Sequence, residues 1–130
     1  MAGHVQTDKN LSWELYANGA VLQTGAYIGV LEVPFDCTIQ SARLLADQAG
    51  NLVVDVWKCA YAAYEPSVHP VNADSIVAVA PPTLAAAYKS EDSTLTGWTK
   101  TLTKGDLLKI NVDSAATITW ARLVLHVVPT

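Results

Sequence analysis

Cysteine, methionine and phenylalanine are nearly missing from this chain of 130 residues, which holds two, one and one of them. Two cysteines imply no disulfide framework, and none is needed: a domain of this length buries roughly two thirds of the surface its unfolded chain exposes. Charge is also sparse, at 15%, and the eight basic residues stand singly against twelve acidic ones for a net charge of −4. Such a chain offers no footprint for a phosphate backbone, so nucleic-acid binding is not expected. No run approaches the ~20 apolar residues of a membrane span. The opening MAGHVQTDKN has neither the basic flank nor the apolar stretch of a secretory signal, so synthesis in a cytoplasm is expected.

What is present is β pattern. Residues 1–10 are polar and aperiodic and read as an N-terminal arm; residues 11–130 read as a single domain. Strand-like runs at Leu11–Ala17 and Ala20–Thr24 flank Asn18-Gly19, the strongest local signal for a two-residue hairpin. Further runs stand at Ile28–Val33, Thr38–Ala46, Leu52–Tyr61, Ser75–Ala80, Leu95–Thr101, Asp106–Asp113 and Ile118–Val128. Only Thr83–Lys89, with its alanine run, looks helical, for one or two turns. About eight antiparallel strands imply an all-β sandwich or barrel. Four prolines, Pro66, Pro70, Pro81 and Pro82, argue against a central strand between Ala62 and Glu91.

Two hairpins are expected in register. A loop at Gln48-Ala49-Gly50, with Gly50 at positive φ, pairs Ala46 with Leu52, Leu44 with Val54 and Ala42 with Val56 on a core face. It sets Arg43 against Asp55 on the other face and leaves Cys37 and Cys59 as diagonal neighbours too far apart to bond, hence free thiols. That second face also carries Ile39, Leu45, Val53, Trp57 and Tyr61, too apolar to meet water, so the 62–91 segment or another subunit must cover it. In the last hairpin Ser114–Thr117 is the loop, Leu108 pairs with Leu123 and Ile110 with Ala121. Lys109 then lies opposite Arg122, beside Trp120, Asn111 and His126, with both cations either splayed into solvent or joined by an acid from a neighbouring strand or subunit.

Motifs for chemistry are scarce. His4, His69 and His126 lack metal-pair spacing, and no metal or other cofactor is expected. CxxC, GxSxG, HExxH and phosphate-loop patterns do not occur, so no catalytic residue is assigned and the chain is not expected to be an enzyme. The four tryptophans, Trp13, Trp57, Trp98 and Trp120, suit core or subunit-interface packing better than sugar stacking. The candidate interface residues are Trp57, Tyr61, Lys109, Trp120, Arg122 and His126.

The pieces LEVPF, LLADQ, VVDVWK and STLTGW and the GD…NVDSA run, spread over residues 25–128, together resemble a module of tailed-bacteriophage structural proteins, found in tail-fibre, minor tail and other virion components. The resemblance implies a small jelly-roll-like β-sandwich working as part of an oligomer, and no functional residue is carried over from it; self-association is expected, as a homotrimer ahead of a homodimer. Without a fibre repeat or coiled-coil shaft, a free-standing component of the virion is expected: a capsid decoration, or cement, protein on the capsid surface whose partner is the major capsid protein. The alternative is a tail-fibre or head-fibre module that binds host-surface glycan.

Overall fold

The computed structural model describes residues 9–130, in which seven strands form one antiparallel sheet: β1 (Lys9–Tyr16), β2 (Gly25–Glu32), β3 (Cys37–Cys59), β4 (Thr83–Asp92), β5 (Thr101–Leu102), β6 (Leu107–Ala116) and β7 (Trp120–Pro129). Helix among these residues is limited to 3-10 turns at Tyr61–Ala63 and Asn72–Asp74. Pairing runs β1–β7–β3–β6–β2, and β4 and β5 also pair with β3. Most of the expected arm, residues 1–8, lies outside the described residues, while Lys9 and Asn10 already belong to β1.

β3 is one strand of 23 residues, not the two arms of a hairpin. Its first arm pairs with β7, from Cys37↔Pro129 to Ala46↔Ala121, and its second with β6, from Asn51↔Ala116 to Cys59↔Leu107. β4 pairs with both arms and holds the opposite edge of each, so β6 and β7 succeed one another along a single edge of β3. They therefore never pair with each other, and the hairpins at 48–50 and 114–117 are both overturned. Counting the two arms separately gives eight strands.

The sheet curls. A straight strand of 23 residues would span about 75 Å. Yet Leu102 pairs with Cys37 and Leu107 with Cys59, and that short stretch of chain keeps the two strand ends within about 28 Å. Curling wraps both arms around one core, in which Leu44 of the first arm and Val54 and Val56 of the second are fully buried with Leu108, Leu123 and Leu125.

The curl is built into every line of the sheet. Gly50 is not left-handed; it is needed because a Cβ there would stand 2.7 Å from the Ala116 carbonyl oxygen and 2.8 Å from Ile118 Cγ1. Between β6 and β7, Thr117 has φ 77°, and the Asp47 carboxylate accepts the Thr119 hydroxyl and the N–H groups of Thr119 and Trp120 at 3.3 and 3.2 Å. Between β1 and β2, Asn18 and Gly19 have φ 54° and 86°, and Ala20 N–H bonds the Ala17 carbonyl at 3.0 Å. The expected Asn-Gly turn is there, but not its hairpin. The chain leaves it through a Leu22 N–H bond to the Ile118 carbonyl at 2.9 Å and goes on to pair with β6.

The expected helix at Thr83–Lys89 is part of strand β4. An isolated turn of alanine helix is marginal in water, whereas ladder bonds to β3 and burial of Leu84 to 1% exposure favour the strand. Ala86, at φ 50°, absorbs the bend, and its N–H bonds Asn51 Oδ1 at 2.8 Å. Ser75–Ala80 is not a strand, and of Leu95–Thr101 only Thr101 lies in one, the two-residue β5.

Candidate interaction surface

Alternation points Ala42 and Leu44 inward and Ser41, Arg43 and Leu45 outward. The outer face of the first arm continues across four strands. One row reads Glu91, Arg43, Val124, Ser12; the next Lys89, Leu45, Arg122, Glu14; and Trp120 pairs with Tyr16 beyond them. No segment of the described chain covers this face: Leu45 and Tyr16 are 39% and 55% exposed. Arg43 Nε bonds Glu91 Oε2 at 2.7 Å. Trp120 Nε1 donates to Glu14 Oε2 at 2.7 Å, and Arg122 lies 3.7 Å from that oxygen, 3.3 Å from Ser12 Oγ and 5.9 Å from the centroid of the Trp120 ring. Beside Leu45 is a groove of about 480 Å³ lined by Arg43, Leu45, Lys89, Ser90 and Glu91.

The outer face of the second arm is closed by residues 60–82. Val54 N–H bonds the Pro82 carbonyl at 3.0 Å and Ile76 N–H the Val56 carbonyl at 2.9 Å, which pins the segment along the edge of β3. Asp55 then holds it from the face. Its carboxylate, in a residue only 5% exposed, accepts Ser75 Oγ at 2.5 Å, Trp57 Nε1 at 3.0 Å and Val56 N–H at 2.9 Å. The loop is braced by His69 Nδ1 against Asp74 Oδ2 at 2.9 Å, and the same oxygen accepts Val71 N–H at 2.8 Å. Those bonds, the histidine's first, hold the Asp74 carboxyl below the usual range.

The six expected interface residues are split by this arrangement. Trp120, Arg122 and His126 share the bare face, although His126 and Trp120 are only partly exposed. Trp57 is buried beneath the 60–82 cover, Lys109 is its ladder partner on β6, and Tyr61, 74% exposed, belongs to the cover itself. Lys109 does not face Arg122, because β6 and β7 do not pair; the acidic partner of Arg122 is Glu14, from the neighbouring β1.

Arg43 likewise meets Glu91 rather than Asp55. Of the expected second apolar face, Cys37 and Ile39 are in the main core, because Gln40 bulges between Ile39↔Val127 and Ser41↔His126 and reverses the alternation. What covers the rest is the chain's own segment, over Trp57 and Cys59 but not over Leu45.

Both thiols are free and buried. Burial first, then the nearby carboxylates of Asp36 and Asp106 for Cys37 and of Asp74 and Asp106 for Cys59, push them above the ordinary thiol range, which keeps them protonated and poorly nucleophilic near neutrality. Among the described residues no three His, Cys, Asp or Glu side chains are placed to hold a metal. Glu14, Lys89 and Glu91 are the surface residues that sequence reasoning missed, whereas Leu45 was expected on an outward apolar face and lies on one. The alternation of Ser12, Glu14 and Tyr16 with Leu11, Trp13 and Leu15 marks Glu14 as outward, but its meeting with Trp120 and Arg122 depends on strand order. The chain matches no family model, and no curated protein matches it.

Proposed function

We propose that the protein is a non-enzymatic structural component of a phage virion, a capsid decoration protein that cements the head by bridging major capsid subunits as a homo-oligomer, a trimer in the simplest arrangement. Its architecture in this reading is a jelly-roll-like sandwich, the finer description of a curled sheet whose bent strands place two arms around one core. The observation that carries the proposal is the presence of two separate exposed patches that hold large apolar and aromatic side chains. Tyr16, Leu45, Trp120 and Arg122 lie on the bare face, and Tyr61, Tyr64 and Val68 stand exposed on the cover of the other arm. Tyrosine, tryptophan and arginine are the residues interfaces favour, and a bridging protein needs two such surfaces. Binding only the assembled shell would stabilise it by mass action.

The test is to heat purified shells with and without the protein. Genome release is expected at a higher temperature when it is bound, and Tyr61→Ser with Tyr64→Ser should abolish the difference; equal release temperatures with and without the protein would refute the role. The second reading, a fibre-type module that binds host glycan, draws on a different observation, the polar groove beside Arg43.

A further inference from the structure

We infer that the groove between β3 and β4 is a binding site for a carboxylate-bearing saccharide. This deepens the glycan reading and is independent of the cementing role. The groove's walls come from two paired strands: Arg43 faces Glu91, Leu45 faces Lys89, and Ser90 lies between the two β4 residues. Arg43 spends only Nε on Glu91, at 2.7 Å. Among the described residues neither its terminal nitrogens nor Lys89 Nζ has a protein partner.

Arg43 and Lys89 are diagonal neighbours on one face, roughly 7 to 8 Å apart at the backbone, within reach of each other's side chains. Like charges so placed repel in the free protein, and one carboxylate between them removes that repulsion. The groove thus carries two cations against one anion on a chain whose net charge is −4, which concentrates an anionic ligand here.

The remaining lining favours a sugar acid over an acidic peptide. Glu91 accepts from ring hydroxyls but repels a second carboxylate. Leu45, 39% exposed, offers an apolar wall to the C–H face of a ring. At about 480 Å³ the groove lies within the roughly 300–1,000 Å³ of small-molecule sites.

The experiment titrates the full chain, followed by amide NMR shifts, with glucuronate-terminated oligosaccharides, their neutral glucose counterparts and a tetraglutamate peptide. Shifts centred on β3 and β4 and binding at least tenfold tighter for the glucuronate form than for the neutral one are expected. Lys89→Gln, an exposed change that leaves the Arg43–Glu91 pair in place, should weaken that binding tenfold or more, while Arg122→Gln, on the same face but outside the groove, should not. Equal binding of acidic and neutral sugars, equal or tighter binding of the peptide, or no binding at millimolar sugar would each overturn the inference. None of these outcomes bears on shell heating, so the two proposals fail separately.

Discussion

The two arms of β3 start from the same alternation and end in opposite environments. On the second arm the outward residues Asp55, Trp57 and Cys59 are 5%, 9% and 7% exposed, closed over by residues 60–82; on the first arm Arg43 and Leu45 remain in water. The difference lies in the stretch of chain on the C-terminal side of each arm. A chain leaving the second arm at Cys59 has 22 residues before Pro82 rejoins the sheet edge, enough to fold back over the face. The first arm continues directly into the second and has no such length to spare. Alternation therefore distinguishes inward from outward but does not distinguish solvent from a cover, and the outward carboxylate of Asp55 is the most buried charged group among the described residues.

The comparison can be broken most forcefully at that pin. Asp55→Ala leaves the Trp57 indole N–H, the Val56 N–H and the Ser75 hydroxyl without their acceptor, and is expected to cost about 3 kcal/mol in urea unfolding. Amide exchange at Ile76 and Val77 should rise above the rest of the core; unchanged exchange there would mean that the cover is held by its backbone bonds alone.

A smaller effect tests the brace within the cover. The Asp74 carboxyl titrates below its unfolded value because of His69 and the Val71 N–H. Its contribution is therefore complete above the unfolded carboxylate pKa, near 3.9, and is lost as pH falls through the lower folded value. Asp74→Asn should lower Tm at pH 5 and lose less of it than the parent protein on going from pH 5 to pH 2.

The smallest effect belongs to the bare arm. Arg43→Ala breaks an exposed ion pair with Glu91 and should cost no more than about 0.5 kcal/mol, measured by the same urea titration as Asp55→Ala. A cost near that of Asp55→Ala would mean that the two faces do not differ as described.

Much of the fold was legible because it is local. The Asn18-Gly19 turn needs only the two positive φ angles that these residues tolerate, and the inward residues of β6 and β7 come from period-two alternation. The interaction surface was less legible. Arg122 and Trp120 were picked out on the outer face of an expected hairpin that does not form, and Arg43 was placed outward, but Glu14 and Glu91 join the surface only through pairings between strands far apart in sequence. The helix at Thr83–Lys89 failed because an alanine run has weak local preference, and an open sheet edge outweighs it.

By itself, then, the sequence determined an all-β chain, most of its strand segments, the inward aliphatics of β6, β7 and most of β3, and a low overall content of charge. Tertiary structure alone decided that β3 runs through Gly50 without turning, that Gln40 bulges and moves Cys37 and Ile39 into the core, and that one outer face is covered while the other is bare. The physical reason is that pleat and turn geometry act between neighbours along the chain. Which edge a strand finds, and what lies over its outer face, depends on the burial of the whole sheet around one core.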